Sequence, residues 1–377
     1  MRLFVDLRRI LFLFPVQAIS RIMLGAFGLV LLTHDHSFAA DLTGVRVALT
    51  AEQNLYAPEV FTYRGEKFLM SGGWSTFEDL YGLPPYALRP DKIYISKLEE
   101  NGNWTTPEAI RWHRRNVVKD GYTIDGEKPG YQINDPSVFV YRDRRIHLFY
   151  TAFPFFPGVE VPYTEHKVGM AISRDGGETW RDYGFIHTPE SGAWAPTVRY
   201  DESSREYWMY YHTGDSPTKT MRQRIHRSGR RTVGEPEEVH LPKVVLNPDF
   251  HILGASSSHP QYVLVGNVES LSTVARYVSD DGIHFEKEDH DQDPLLDFRG
   301  LMAADGQIGD LFLLTPSIDV LEDAGATGET RYDLYFGFDN TLEIPENQEK
   351  PVPVPLHSES IHTWTFQNQA EVPGALD

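Results

Sequence analysis

A four-residue motif, X-Pro-X-(Val/Phe), limits what this chain can fold into more than any other feature. It occurs as Ala57-Pro58-Glu59-Val60, Asp135-Pro136-Ser137-Val138, Ala195-Pro196-Thr197-Val198 and Asn247-Pro248-Asp249-Phe250. The prolines stand 78, 60 and 52 residues apart, which marks a repeated supersecondary unit. Proline has no N–H to give a sheet ladder and is tolerated at the first residue of a strand, so each motif reads as a strand entrance. Ten to fourteen residues after each proline begins an aromatic or β-branched run: Phe68 to Met70, Ile146 to Tyr150, Tyr207 to Tyr211 and Tyr262 to Val265. Turn formers such as Arg64-Gly65 and Asp201 to Ser204 lie between, so every unit contains a hairpin.

Third runs follow at Lys92 to Leu98, Lys167 to Ser173 and Thr273 to Ser279. Two of them enter Ser173-Arg174-Asp175-Gly176-Gly177-Glu178-Thr179-Trp180 and Ser279-Asp280-Asp281-Gly282-Ile283-His284-Phe285. The first is the S-x-D-x-G-x-T-W pattern called an Asp box, and the second matches it in part. An Asp that bonds the amides of its own turn, with Gly at positive φ, explains these residue types as a structural hairpin turn. Strand-rich units of this size predict an all-β chain, a five-bladed β-propeller of four-stranded antiparallel blades. The fifth blade is expected in residues 300 to 377, from Leu311 to Leu314, Tyr332 to Phe338 and Ile361 to Phe366, with its motif reduced to Ala303-Ala304-Asp305-Gly306. Val45 to Leu49 is a spare strand that can close the ring.

Residues 1–40 differ from the rest. Arg2, Arg8 and Arg9 precede apolar runs, and Ser37-Phe38-Ala39-Ala40 offers small residues at a cut, as in a secretory signal peptide. The expected organisation is a signal peptide over 1–40 and a single propeller domain over 41–377, secreted or periplasmic, with no membrane attachment after cleavage. A membrane anchor is the alternative, but Arg21 interrupts the apolar stretch. The chain has no cysteine, which removes disulfides, thiolate metal sites and a cysteine nucleophile. Net charge is −19, and without residues 1–40 it is −21, from 31 Lys and Arg against 52 Asp and Glu. Such a surface repels nucleic acid and anionic membrane. Its histidines show no metal-ligand spacing, so neither a metal nor any other cofactor is expected.

Alternation along strands puts Glu59, Asp135, Ser137, Thr197, Asn247 and Asp249 on equivalent faces of successive blades, converging on the axis, with Val60, Val138, Val198 and Phe250 packing between blades. Three stretches then carry a resemblance: Asn134-Asp135-Pro136-Ser137-Val138-Phe139 followed by His147 to Thr151, Trp194-Ala195-Pro196-Thr197-Val198, and Val168 to Ser173. These resemble strands of the family-43 glycoside hydrolases, arabinosidase- and xylosidase-like enzymes that share a propeller fold with family 32, loosely over residues 45–366. The resemblance implies a five-bladed propeller with an Asp general base, an orienting Asp and a Glu general acid around an axial pocket. Asp135 matches an acidic position of that set. The family's Glu-Gly-Pro acid has no counterpart, because the residues two before each proline are Tyr56, Asn134, Trp194 and Leu246.

The catalytic candidates are therefore Asp135, with Glu59 as acid and Asp249 or Asp305 as second carboxylate, and Glu269 behind them. Tyr56, Asn134, Trp194 and Thr197 are candidates for substrate binding, and His251 for the axial channel. An Asp before Pro can equally cap a turn, and an aromatic beside such a strand can equally be core. Two functions stay open: hydrolysis of an oligo- or polysaccharide by paired carboxylates, and a non-catalytic glycan-binding or assembly propeller that has lost its acid. A sialidase is disfavoured because the strand entrances lack its arginines.

Overall fold

The computed structural model describes residues 45–50, 54–74, 91–113, 130–142, 144–155, 161–201, 204–214, 218–252, 262–268, 273–287, 296–297, 301–302, 308–309, 312–321, 331–339 and 360–367. The expected leader, Glu269 and Asp305 lie outside them. Among the described residues no helix is long and apolar enough to cross a membrane.

Antiparallel four-stranded sheets stand in a propeller arrangement, and the topology resolves five of them. Following β1 (Val45–Thr50), blade 1 is β2 (Asn54–Tyr63), β3 (Glu66–Trp74), β4 (Asp91–Lys97) and β5 (Glu108–Ala109). Blade 2 is β6 (Gly130–Tyr141), β7 (Arg145–Phe155), β8 (Lys167–Ser173) and β9 (Arg181–His187). Blade 3 is β10 (Trp194–Asp201), β11 (Glu206–Thr213), β12 (Lys219–Ile225) and β13 (Thr232–Glu238). Blade 4 is β14 (Val245–Ile252), β15 (Tyr262–Val268), β16 (Thr273–Ser279) and β17 (Leu296–Asp297). A small ribbon, β18 (Leu301–Met302) with β19 (Ile308–Gly309), precedes blade 5, which is β20 (Phe312–Leu321), β21 (Arg331–Asp339) and β22 (Ser360–Gln367). The spare N-terminal strand β1 completes blade 5 by pairing antiparallel with β22, Val45 opposite Trp364.

Two expectations change. The prolines do not open their strands; each lies inside the innermost strand, at a register shift where the X-Pro pair faces a single residue of the partner strand. This is a β-bulge, one of the few places within a sheet that accepts proline. The residue before the proline takes a left-handed φ each time: 49° at Ala57, 46° at Asp135, 47° at Ala195, 50° at Asn247 and 50° at Thr315. Thr315 reveals the second correction. The fifth motif is Thr315-Pro316-Ser317-Ile318 on β20, bulged between Leu314 and Ser317 like the others, not Ala303 to Gly306.

The residue types of the motif follow from blade-to-blade hydrogen bonds. The side chain after the proline accepts the amide two after the next blade's proline: Glu59 from Val138 at 3.1 Å, Ser137 from Val198 at 2.9 Å, and Asp249 from Ile318 at 3.0 Å. Thr197 instead donates its hydroxyl to the Pro248 carbonyl at 3.2 Å. These bonds satisfy amides at the axial edge that have no strand beside them.

The core lies between blades, and period-two alternation builds it. Leu148, Tyr150 and Ala171 face Phe61, Met70 and Ile93 of blade 1. Phe149, Met170 and Ile172, one residue out of step, face Val198, Met209 and Tyr211 of blade 3. Phe250 stacks on Tyr210 at 3.9 Å between blades 3 and 4, and Leu49, Leu55, Leu69 and Tyr335 join blades 5 and 1. The Ser173–Trp180 turn is closed by Asp175, which accepts from the Thr179 amide and hydroxyl at 3.0 and 2.5 Å, while Trp180 is fully buried.

Candidate functional site

The five bulges meet at the axis around a cavity of about 30 Å³, lined by Ala57, Glu59, Asp135, Thr197, Asn247 and Asp249 among other motif residues. Glu59, Asp135, Thr197, Asn247 and Asp249 all reach this cavity, which holds only about two waters, but the bulge sets the residues before and after each proline on opposite sides and not on one shared face. The cavity's titratable groups divide into two clusters on either side of the proline layer.

On the side reached after the prolines, Arg199 crosses the axis. Its guanidinium donates to Glu59 at 3.0 Å, to Asp249 at 2.7 Å and to Ser137 at 3.3 Å. Asp249 also accepts from Ser317 at 3.0 Å and meets His251 Nε2 at 3.1 Å. Burial pushes the Glu59 carboxyl above its ordinary value while Arg199 opposes the shift. For Asp249 burial acts the same way, but Arg199 and His251 outweigh it and hold the group at about 2. One residue from every blade enters this hub: Glu59, Ser137, Arg199, Asp249 and Ser317. Glu59 and Asp249, the expected acid and second carboxylate, are both engaged here in an ion pair with Arg199 and in blade-to-blade bonds. Thr197 and His251 belong to this side as well.

On the side reached before the prolines lies Asp135, bonded by the Thr151 hydroxyl at 2.9 Å. The same hydroxyl accepts the Ala195 amide of blade 3 at 2.8 Å. Beside it is Asp91, the first residue of β4, which sequence reasoning missed. Asp91 Oδ2 accepts from the Tyr56 hydroxyl at 2.5 Å and from Asn134 Nδ2 at 3.3 Å. Its own amide points at Gln132 Oε1, 3.5 Å away. Burial pushes Asp91 up to about 7, and the charge of Asp135 adds to the shift. Burial likewise raises Asp135 to about 6, against the pull of Thr151 and the Ala195 amide. Burial, with both carboxylates nearby, keeps the Tyr56 hydroxyl protonated well above its ordinary value.

Gly72, opposite Tyr56 across β2 and β3, makes room for this arrangement. A Cβ there would stand 3.2 Å from the Tyr56 ring and 3.3 Å from Asn134 Cβ. Asn134 Oδ1 is buried and has no hydrogen-bond partner among the described residues. Such an acceptor costs about 1–3 kcal/mol unless something fills the position. Trp194 joins from blade 3, stacked with Tyr163 at 4.8 Å and 26° and tilted on His212 at 4.4 Å. Its Nε1 is buried and has no partner among the described residues, and Tyr163 is 43% exposed. Asp135, Tyr56, Asn134 and Trp194 are thus brought to one side, and Asp91 is added to them. Among the described residues no group of three His, Asp or Glu is placed to hold a metal ion.

No family model and no curated protein sequence matches the chain. Solved structures do. A thermostable family-43 glycoside hydrolase superposes with a TM-score of 0.54 at 10% identity, over 85% of this chain and 92% of that one. An N-acetylgalactosamine deacetylase from F. plautii, in complex with blood group B trisaccharide, gives 0.53 at 13% identity, over 85% and 91%. A family 117 glycoside hydrolase produced by the marine bacterium Zobellia galactanivorans gives 0.50 at 10%, over 85% and 90%. At these identities the likeness speaks for architecture: the chain has the β-propeller fold that family-43 and family-117 glycoside hydrolases have.

Proposed function

We propose that this protein is an exported glycoside hydrolase in which Asp91 and Asp135 form the catalytic carboxylate pair. The observation that carries the reading is the placement of two neighbouring buried carboxyls, which burial pushes up to about 7 at Asp91 and about 6 at Asp135, beside an Asn134 acceptor with no partner among the described residues and an aromatic wall. Glycosidic hydrolysis needs one carboxyl protonated and one ionised at the same pH. Asp91, the higher of the two, holds the proton for the leaving oxygen. Asp135, the lower, takes the proton of the attacking water in an inverting reaction or attacks carbon in a retaining one. Tyr56 orients Asp91 through its short bond to Oδ2, and Asn134 offers Oδ1 to a substrate hydroxyl. A sugar ring packs on Trp194 and Tyr163. Because the carboxyls interact, activity should follow a bell between two apparent values that belong to the pair, with a maximum between about 6 and 7.

A second reading, a non-catalytic glycan binder, is favoured by one observation: none of the residues two before the motif prolines is Glu. The deacetylase likeness also shows that this fold is not tied to glycosidic cleavage. The deciding experiment screens the purified protein on chromogenic pentosides and hexosides and on acetylated sugars, reading phenolate and acetate separately. On an established glycoside, Asp91→Asn and Asp135→Asn should each lower kcat about a hundredfold or more, ~2.7 kcal/mol of barrier, with no loss of thermal stability. Unaltered turnover in both variants removes the pair from the mechanism, and acetate release without phenolate overturns the hydrolase reading.

A further inference from the structure

The opposite end of blades 2 and 3 gathers arginines on an otherwise acidic molecule. The turn from β6 to β7 carries Arg142, Arg144 and Arg145, and the turn from β12 to β13 carries Arg227, Arg230 and Arg231. All six are exposed, and none takes part in an ion pair among the described residues. The neighbouring Arg224 does, with Glu206 at 2.8 Å. The two turns form one surface. Arg230 of blade 3 and Arg181 of blade 2 lie over the same Tyr183 ring, at 4.0 and 5.1 Å. Arg145 and Arg230 both bear on His147, which burial and these two charges push down to about 4. Arg142 covers Tyr141 at 5.2 Å and reaches the electrostatic surroundings of Tyr207, itself 4.8 Å from Tyr200. Of the acidic groups nearby, Asp175 is closed into its own turn and Glu206 is taken by Arg224, whereas Glu178 and Glu235 are exposed and Asp143, between Arg142 and Arg144 in the sequence, lies outside the described residues, so the two turns keep an excess of arginine over carboxylate.

We infer that this arginine and tyrosine surface is a second binding site, for a carboxylate-bearing polysaccharide. A surface with more arginine than carboxylate, on a molecule that is otherwise acidic, offers an anion a local positive field. The planar guanidinium takes a carboxylate by two parallel hydrogen bonds, and the tyrosine rings under Arg142 and Arg230 hold those guanidinium planes in place beside the sugar that carries it. The spacing of charge selects the polymer. Double-stranded DNA carries a charge about every 1.7 Å and feels the repulsion of a molecule at −19 most strongly. A polyuronate carries one charge per sugar ring and feels less of it. The surface lies seven residues along β6 from Asp135, about 20 Å away on the other face, so it anchors a polymer without entering the carboxylate pair.

The choice of a polysaccharide rests on the glycan reading above, and the test separates the two. The full protein is run in affinity electrophoresis and titrated calorimetrically against polygalacturonate, neutral xylan, dextran sulfate and double-stranded DNA. Polygalacturonate should bind, weakening with added salt as exposed charges are screened. The triple variant Arg142→Gln, Arg145→Gln, Arg230→Gln should bind at least tenfold more weakly with an unchanged melting curve. The corresponding triple lysine variant should regain part of the loss, because charge returns without the fork. Asp135→Asn should bind like the parent, so absent hydrolysis leaves the site intact. Absence of polygalacturonate binding, an unaffected triple glutamine variant, or DNA or dextran sulfate bound as tightly as polygalacturonate would each overturn the inference.

Discussion

Asp91 and Asp135 differ from the chain's other described carboxylates in what surrounds them. Glu59 and Asp249 are just as buried but face Arg199, so burial is offset there by a full opposite charge. Asp91 has only a hydroxyl and an amide, which favour the ionised form too weakly to offset its loss of water. The consequence for stability has a definite sign. The native state holds the Asp91 proton to about 7, whereas the unfolded chain releases it near 3.8, so the folded state binds more protons in between. Stability contributed by this group is present below about pH 4 and lost as pH rises through 7. Asp91→Asn should therefore leave stability near pH 4 almost unchanged and raise it at pH 8, by up to about 4 kcal/mol. Urea unfolding across that range measures it, and a variant less stable than the parent at pH 8 would show that Asp91 ionises freely in the fold. In the sequence Asp91 looked like any Asp after Arg89-Pro90, because a third strand of one blade meets the first strand of the next only in space.

Within each blade the innermost strand is shaped by its bulge, and the bulge makes an unusual demand of the residue before proline. Left-handed backbone costs an ordinary L residue about 1–2 kcal/mol, and Thr315, being β-branched, is the most strained of the five. Ala195→Gly should thus be neutral or stabilising by up to ~1 kcal/mol, where the same change inside a regular strand costs a similar amount. Chemical denaturation decides between these, and a clear loss would mean that φ at 195 is not left-handed in solution. The repeat itself was readable in advance because proline is so restricted in sheets that its recurrence in one context reveals a shared backbone. The fifth copy was misplaced at Ala303 to Gly306 although Thr315-Pro316-Ser317-Ile318 follows Pro248 by 68 residues, within the spread of the others. A motif defined by Val or Phe in its fourth place passes over Ile318.

At the scale of the whole molecule the blades are tied at the axis by charge and at the rim by chain closure. Arg199 links blades 1, 2 and 4, and no pattern along the sequence pairs it with Glu59, 140 residues away. Arg199→Met should leave two buried carboxylates uncompensated and cost about 3–5 kcal/mol at neutral pH. Part of that cost should return on acidification as Glu59 takes a proton, whereas a pH-independent loss would mean that the guanidinium acts by packing alone. The rim is closed by β1 lying against β22, which joins residues about 320 positions apart. Blades 1 to 4 are each cut from one continuous stretch, but the fifth has no outer strand until both ends of the chain are present. Until then a growing chain is an open arc, whose end blades leave the surfaces around Leu55, Leu69 and Tyr335 uncovered. Contacts between such distant residues form late and slowly. The period during which this protein is prone to aggregate is therefore set by the arrival of its last strand, and a permuted chain opened between two blades, with the natural ends joined, would shorten it.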